Sequence, residues 1–145
     1  MSHYYIIKQF LPTMIERNEG HIVATCSAAG HICPAEIVDY TGSKFAVRGY
    51  MEALYHQMLA AGHNIEFTTI CPWYVKSPMF KQEEHPNMAF NACDCEEMVE
   101  RSIKAIRLNE KEIIFPAHIN IFPILRGIFP ICVGRSVLLR KLCYS

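Results

Sequence analysis

Cys26-Ser-Ala-Ala-Gly-His-Ile-Cys-Pro-Ala-Glu-Ile-Val-Asp-Tyr-Thr-Gly-Ser-Lys44 is the stretch on which the reading of this chain turns. Leading into it, His21-Ile-Val-Ala-Thr-Cys26 is an apolar run rich in β-formers and reads as a strand. The small residues of Ser27-Ala-Ala-Gly30 allow close backbone approach, and Pro34 marks an irregular loop. From Tyr40 the chain reads as a helix, capped at Asp39 or just before it and running through Leu59. Tyr40 and Lys44 are four residues apart, so a helix stacks them on one face. A phenol ionises near pH ~10 and a neighbouring cation favours its charged form, which makes such a pair a candidate general base. Ser27, thirteen residues before Tyr40, ends the strand and brings a hydroxyl toward that helix.

Working outward, Gly62 follows the helix, and Asn64-Ile-Glu-Phe-Thr-Thr-Ile-Cys71 alternates into a second strand. Strand, helix and strand with short joints predict a parallel sheet covered by helices, in which ligands collect at the carboxyl ends of the strands. Ser27 and Pro72 both stand at such ends. Upstream, Ile6, Ile7, Phe10, Leu11, Met14 and Ile15 recur at helical spacing between Ser2 and Arg17, with Asn18-Glu-Gly20 as the stop. Pro12 lies inside that pattern and predicts a kink or a division. Downstream, Asp94-Cys-Glu-Glu97 has capping-box spacing and opens a helix with Met98, Val99, Ile103 and Ile106 on one stripe. Glu112-Ile-Ile-Phe-Pro116 reads as a last strand.

Ser27-Ala-Ala-Gly30, the thirteen-residue gap, Tyr40-Thr-Gly-Ser-Lys44-Phe-Ala and a strand running into Cys71-Pro-Trp-Tyr-Val-Lys-Ser77 follow one another in the order seen in short-chain dehydrogenases/reductases. The sequence resembles the C-terminal half of such an enzyme over residues 2 to about 116. It is most similar to the membrane-associated branch of retinol dehydrogenases and 17-beta-hydroxysteroid dehydrogenases, in which Phe-Leu-Pro-x-Met and Glu-Arg-Asn-x-Gly-His-Ile-Val also occur. The resemblance implies an α/β fold, the C-terminal half of a doubly wound parallel-sheet, Rossmann-like domain, truncated at its N-terminus. It implies NAD or NADP as cofactor and the interconversion of a lipophilic alcohol, such as a retinoid or steroid, with its carbonyl. Catalytic roles fall by resemblance to Ser27, Tyr40 and Lys44. Tyr40 exchanges the hydroxyl proton, Lys44 supports it and holds the nicotinamide ribose, and Ser27 donates to the substrate oxygen. Cofactor contacts fall to Tyr40, Lys44, Pro72, Val75 and Ser77, the last three in the loop that lines the nicotinamide, where Trp73 replaces the family's usual glycine.

The family's Thr-Gly-x-x-x-Gly-x-Gly turn is not found among the glycines at 20, 30, 42, 49, 62, 127 and 134. The pyrophosphate-binding half is therefore expected to be absent, and the family's catalytic asparagine to fall before Met1. Expected alternatives are a partial or spliced dehydrogenase, inactive alone, and a non-catalytic remnant that dimerises or binds a lipid or membrane. The helix after Tyr40 carries Phe45, Val47, Tyr50, Met51, Leu54, Tyr55 and Met58, which suits either a dimer face, with itself or a full-length relative, or one wide core face.

The 145 residues are 51% hydrophobic and 19% charged, which suits one globular domain, and zero net charge gives no reason to expect nucleic acid. Seven scattered cysteines without a secretory leader point to reduced thiols in the cytosol or facing it, with the endoplasmic reticulum or lipid-droplet surface as the membrane option. His85, Cys93 and Cys95 lack a matched second pair, so no metal site is assigned. Residues 78 to 92 read as a segment over the substrate pocket. Residues 117 to 145 read as an apolar tail, a lid or a membrane-surface contact rather than a span, because prolines interrupt it. Ile-Phe-Pro recurs there and just before, at 114, 121 and 128, without an evident structural reason.

Overall fold

A computed structural model describes residues 2–33, 37–77 and 92–128. Three parallel strands form one sheet in sequence order, β1 (Gly20–Thr25), β2 (Ile65–Pro72) and β3 (Glu112–Phe115). Helices α1 (Ser2–Arg17) and α2 (Val38–Ala60) pack on one face, and α3 (Cys95–Arg107) covers β2 and β3 on the other. The chain thus has the expected parallel α/β layering, with strands and helices within a residue or two of their expected bounds.

Strand alternation decides what each face carries. Ile22 and Ala24 of β1 share a face with Ile65 and Phe67 of β2, and Ile7, Met51, Leu54 and Met58 close over them. Phe67 is 2% exposed, and burying a phenyl ring of that kind contributes roughly 1.5–3 kcal/mol. Val47, Tyr50 and Tyr55 pack into the same cluster, so most of the apolar surface of α2 serves one wide core face. In α1 the expected stripe divides. Leu11, Met14 and Ile15 pack inward behind Ile7, while Ile6 and Phe10 stay exposed.

Pro12 lies inside α1 without dividing it. Its ring is exposed, and so is Lys8, whose carbonyl loses its helical partner at Pro12 and can be satisfied by water. Asn18 takes φ 51° just past the helix, its amide donating to the Ile15 carbonyl, and its own Oδ1 accepts from the Asn64 amide at 2.8 Å. Asp39 is not the cap of α2 but lies in its first turn, where a carboxylate favours the positive end of the helix dipole. Asp94 does occupy the cap position of α3, yet its side chain makes no capping bond. Lys76 Nζ holds that carboxylate at 3.0 Å instead.

After β3 come a 3-10 turn (Ala117–Asn120) and the short helix α4 (Ile121–Ile128). The Ile-Phe-Pro copies therefore take different structures. The first runs out of β3 and the second opens α4, where Pro123 sits in the first turn and has no intrahelical bond to lose. No helix among the described residues is long and apolar enough to cross a membrane. The readings placed on residues 78 to 91, on His85 and on the tail beyond 128 lie outside the described residues.

Candidate active site

The pairing of β1 with β2 runs to Thr25 opposite Ile70, and one residue further the Cys26 amide donates to the Ile70 carbonyl at 2.7 Å. Cys26 and Cys71 thereby come side by side on the face under α2. Ser27 follows in extended backbone and caps a buried 3-10 turn, Ala28–Gly30, its Oγ accepting from the Ala29 amide at 3.2 Å. Accepting there leaves the hydroxyl proton to donate elsewhere.

Helix α2 comes down on this turn at Lys44. Cys26 Sγ donates to the Lys44 carbonyl at 3.3 Å. A Cβ at Gly30 would lie 3.1 Å from the same carbonyl oxygen and 3.0 Å from Cys26 Sγ, a tight fit that glycine relieves. Two contacts therefore hold the turn that begins at Ser27 against the helical turn spanning Tyr40 and Lys44. Within that helical turn, Lys44 Nζ stands 5.4 Å from the centre of the Tyr40 ring, inside cation–π range. Tyr40 is 47% exposed and Lys44 half-buried, so both polar ends are open to a ligand. Thr41 points inward, its hydroxyl buried without a hydrogen-bond partner among the described residues.

Pro72 sits at the carboxyl end of β2 opposite Phe115, and the Trp73 amide donates to the Phe115 carbonyl at 2.7 Å. Glycine's freedom is not needed there, because Trp73 simply continues the ladder. Its indole Nε1 is buried and has no hydrogen-bond partner among the described residues. Val75 bridges to Cys93, flanked by Cys93 N to Tyr74 O at 2.9 Å and Lys76 N to Cys93 O at 3.0 Å. Ser77 is exposed, and among the described residues no hydrogen bond joins it to Ser27, Tyr40 or Lys44. The structure thus joins the Ser27 turn to the Tyr40–Lys44 turn and places Pro72 at the neighbouring strand end, while Val75 and Ser77 lie farther along the loop.

Behind the turn lies a buried polar group. The Cys26 thiol is lowered to about 7, first by the Cys71 thiol hydrogen bond and then, against the opposing effect of burial, by the Ser27 backbone and the charges of Lys44 and His31. Cys71 is raised by the same bond and by its own burial. Beside them, His31 Nε2 stands 3.3 Å from Glu112 Oε2, and Arg48 Nε donates to that same oxygen at 3.1 Å. Burial pushes the Glu112 carboxyl up, but the His31 contact and the charges of His31 and Arg48 outweigh it and leave the group below its ordinary value. One ligand atom from each of His31, Cys71 and Glu112 falls within 4.8 Å of the others, a spacing a metal ion could bridge. The Arg48 guanidinium already bonded to Glu112 puts a fixed positive charge at that place, which opposes a cation there.

Sequence reasoning missed this network. Alternation puts Glu112 in phase with Ile114, but Ile113 is equally apolar, so the sequence carried no signal for the face the carboxylate takes.

A family model described as short chain dehydrogenase matches residues 1–88. The chain belongs to the short-chain dehydrogenase family. Its similarity places it in the retinol and steroid dehydrogenase branch. It is 34% identical over 131 residues to 17-beta-hydroxysteroid dehydrogenase 13 of Homo sapiens, covering 90% of this chain and 43% of that protein. It is 33% identical over 153 residues to retinol dehydrogenase 10 of Rattus norvegicus, covering 99% and 44%. The chain therefore spans less than half the length of these relatives. A short-chain dehydrogenase/reductase from Burkholderia phymatum, solved in complex with NAD, matches with a TM-score of 0.68 at 25% identity, over 84% of this chain and 52% of its own.

The short-chain dehydrogenase cofactor can be tested against these residues. At the strand ends the buried Trp73 indole donor has no partner among the described residues, and on the adjoining helix Tyr40 is 47% exposed and Lys44 half-buried. That donor set fits the nicotinamide and ribose end of NAD(P), which offers carbonyl and hydroxyl acceptors.

Proposed function

We propose that Ser27, Tyr40 and Lys44 carry out the proton transfer of an NAD(P)-dependent interconversion of a lipophilic alcohol and its carbonyl. The supporting observation is the docking of the Ser27 turn onto the helical turn of Tyr40 and Lys44, through Cys26 Sγ and through the close approach at Gly30. A nicotinamide, when bound, supplies the hydride chemistry. Tyr40 accepts the alcohol proton at its phenolic oxygen, or returns it when a carbonyl is reduced. Lys44 stabilises the phenolate through the charge it holds beside the ring, and its ammonium is placed to bind ribose hydroxyls. Ser27 donates its free proton to the substrate oxygen as charge develops there. Pro72, Val75 and Ser77 would line the nicotinamide, with the Trp73 indole as a further donor.

The substrate class, a retinoid, a steroid or a similar fatty alcohol, is supported by the names of the two relatives above. We place the protein on the cytoplasmic side, at the endoplasmic-reticulum or lipid-droplet surface, and propose negligible turnover for the chain alone, because the glycine-rich pyrophosphate turn is not in its sequence. Fluorescence titration of the purified chain with NADH and NADPH tests this. Affinity weaker than micromolar is expected, and micromolar binding would overturn the inactivity.

A second reading is favoured by one observation. Tyr5, Ile6 and Phe10 of α1 are each more than half exposed. Such a surface suits a non-catalytic role through dimerisation, with itself or a full-length relative, or through a membrane surface. Sedimentation of the chain with and without Phe10→Ser separates the readings, since a monomer in both cases removes the dimer.

A further inference from the structure

We infer that Glu112 is a positioning residue, a carboxylate that clamps the Ser27 turn and the Tyr40–Lys44 helix together through His31 and Arg48. This deepens the proton-transfer reading above and rests on it. Glu112 belongs to neither site element. It opens β3, and its register opposite Thr69 sets its side chain on the face that also carries Cys71 and Ile114.

Its two partners each belong to a site element. His31 is the residue that closes the 3-10 turn Ser27 opens, its amide donating to the Ala28 carbonyl. Arg48 stands one helical turn beyond Lys44 on α2, and therefore on the Lys44 side of that helix. Both reach one oxygen, His31 Nε2 at 3.3 Å and Arg48 Nε at 3.1 Å, while Arg48 Nη1 also stands 3.4 Å from Glu52. Arg48 holds that oxygen by a charge-assisted hydrogen bond and His31 approaches it as a close electrostatic contact, so one carboxylate oxygen ties together the elements on either side of it. An apolar residue in phase with Ile114 would satisfy this face at least as well, because the desolvation of an ion pair consumes much of what its attraction returns. What the charge adds is directionality. The site's three groups sit on a turn and a helix, and neither is bonded into the strand ladder that holds the sheet.

The Arg101–Glu110 pair supplies a control of the same chemistry. Its two bonds, at 3.1 and 2.5 Å, link α3 to the approach to β3 and touch neither the Ser27 turn nor α2.

The test is amide hydrogen exchange and side-chain resonance spectroscopy on the 145-residue chain. In Glu112→Gln, exchange at Gly30, His31 and Arg48 is expected to rise about tenfold, the loss expected when a charged hydrogen-bond partner is removed. Exchange at Ile22 and Phe67 in the ladder is expected to change less than about twofold. The Tyr40 ring and Lys44 methylene resonances shift in Glu112→Gln and stay in place in Glu110→Gln. Unchanged exchange in the turn, or an equal rise across the ladder, overturns the clamp and leaves Glu112 an ordinary stabilising residue. Should Glu112→Gln not fold, Arg48→Met at a half-exposed position decides the matter. Among the described residues Arg48 is bonded to the turn only through Glu112, so its loss must still quicken exchange at Gly30 and His31, and a turn that does not respond overturns the clamp. Neither readout uses cofactor or alcohol. Ser27, Tyr40 and Lys44 resonances that ignore millimolar reduced nicotinamide mononucleotide therefore defeat the proton-transfer reading under Proposed function, whereas a turn that ignores Glu112 defeats the clamp alone.

Discussion

The two faces of the sheet bury their side chains by different means. Under α3, Ile70, Ile113 and Ala105 make a small apolar cluster, with Ile106 against it and the Arg101–Glu110 pair at its rim. Under α1 and α2 a larger apolar cluster around Phe67 gives way, toward the strand ends, to Cys26, Cys71, His31, Glu112 and Arg48. Polar groups placed on a core face cost desolvation that isoleucine would avoid. The α3 face also buries a polar group, Thr68, bonded to His21 and the Glu110 carbonyl, but the charged carboxylate–guanidinium contact on a core face lies at the end carrying Ser27, Tyr40 and Lys44.

Truncation in the two cores should give the largest effect. Phe67→Ala is expected to cost about 3–5 kcal/mol in urea unfolding, and Ile113→Ala under α3 about 2 kcal/mol, the lower end for its class, because the second cluster is smaller. Equal costs would break the contrast. Next comes the close approach at the site. Gly30→Ala pushes a methyl against the Lys44 carbonyl and Cys26 Sγ and is expected to cost about 1–3 kcal/mol. Gly42→Ala, with nothing within 4 Å of the added carbon and a helical position, is expected to gain about 0.5–1 kcal/mol.

Acid titration sharpens the comparison of the two carboxylates. Glu112 and Glu110 are both held below 4.5 in the fold, Glu112 by His31 and Arg48 against its burial, Glu110 first by the Arg101 hydrogen bond. A lowered carboxyl stabilises the fold fully above its unfolded value and loses that contribution as pH falls through the folded one. Replacing either with Gln should flatten the stability loss between about pH 5 and pH 3. Only Glu112→Gln should also move the Tyr40 and Lys44 resonances. The smallest effect on stability is expected for Tyr40→Phe, within about 0.5 kcal/mol, because the residue is about half exposed and its hydroxyl makes no hydrogen bond among the described residues.

Local pattern made much of this legible. Alternation marked β1 and β2, helical spacing marked α1 and α2, and Ser27 and Pro72 were expected at the strand ends where the structure puts them, with Tyr40 and Lys44 on α2. What sequence could not supply was register. Arg48 and Glu112 are 64 residues apart, and only the pairing of β2 with β3 shows that Glu112 faces α2. Competition between partners was likewise hidden, as when Lys76 draws the Asp94 carboxylate away from the end of α3. Pro12 shows the converse. Its local rule is sound, but solvent at an exposed position absorbs the freed carbonyl and the helix continues.

The central claim is that Ser27, Tyr40 and Lys44 form one site at the carboxyl ends of β1 and β2. Titrating the chain with reduced nicotinamide mononucleotide, the ribose-bearing end of the cofactor, and following residue-resolved resonances tests it most directly. The account predicts the largest shifts at Ser27, Tyr40 and Lys44, abolished by Lys44→Met. Shifts centred elsewhere, or shifts at Ser27 and Tyr40 that persist unchanged in Lys44→Met, would contradict it.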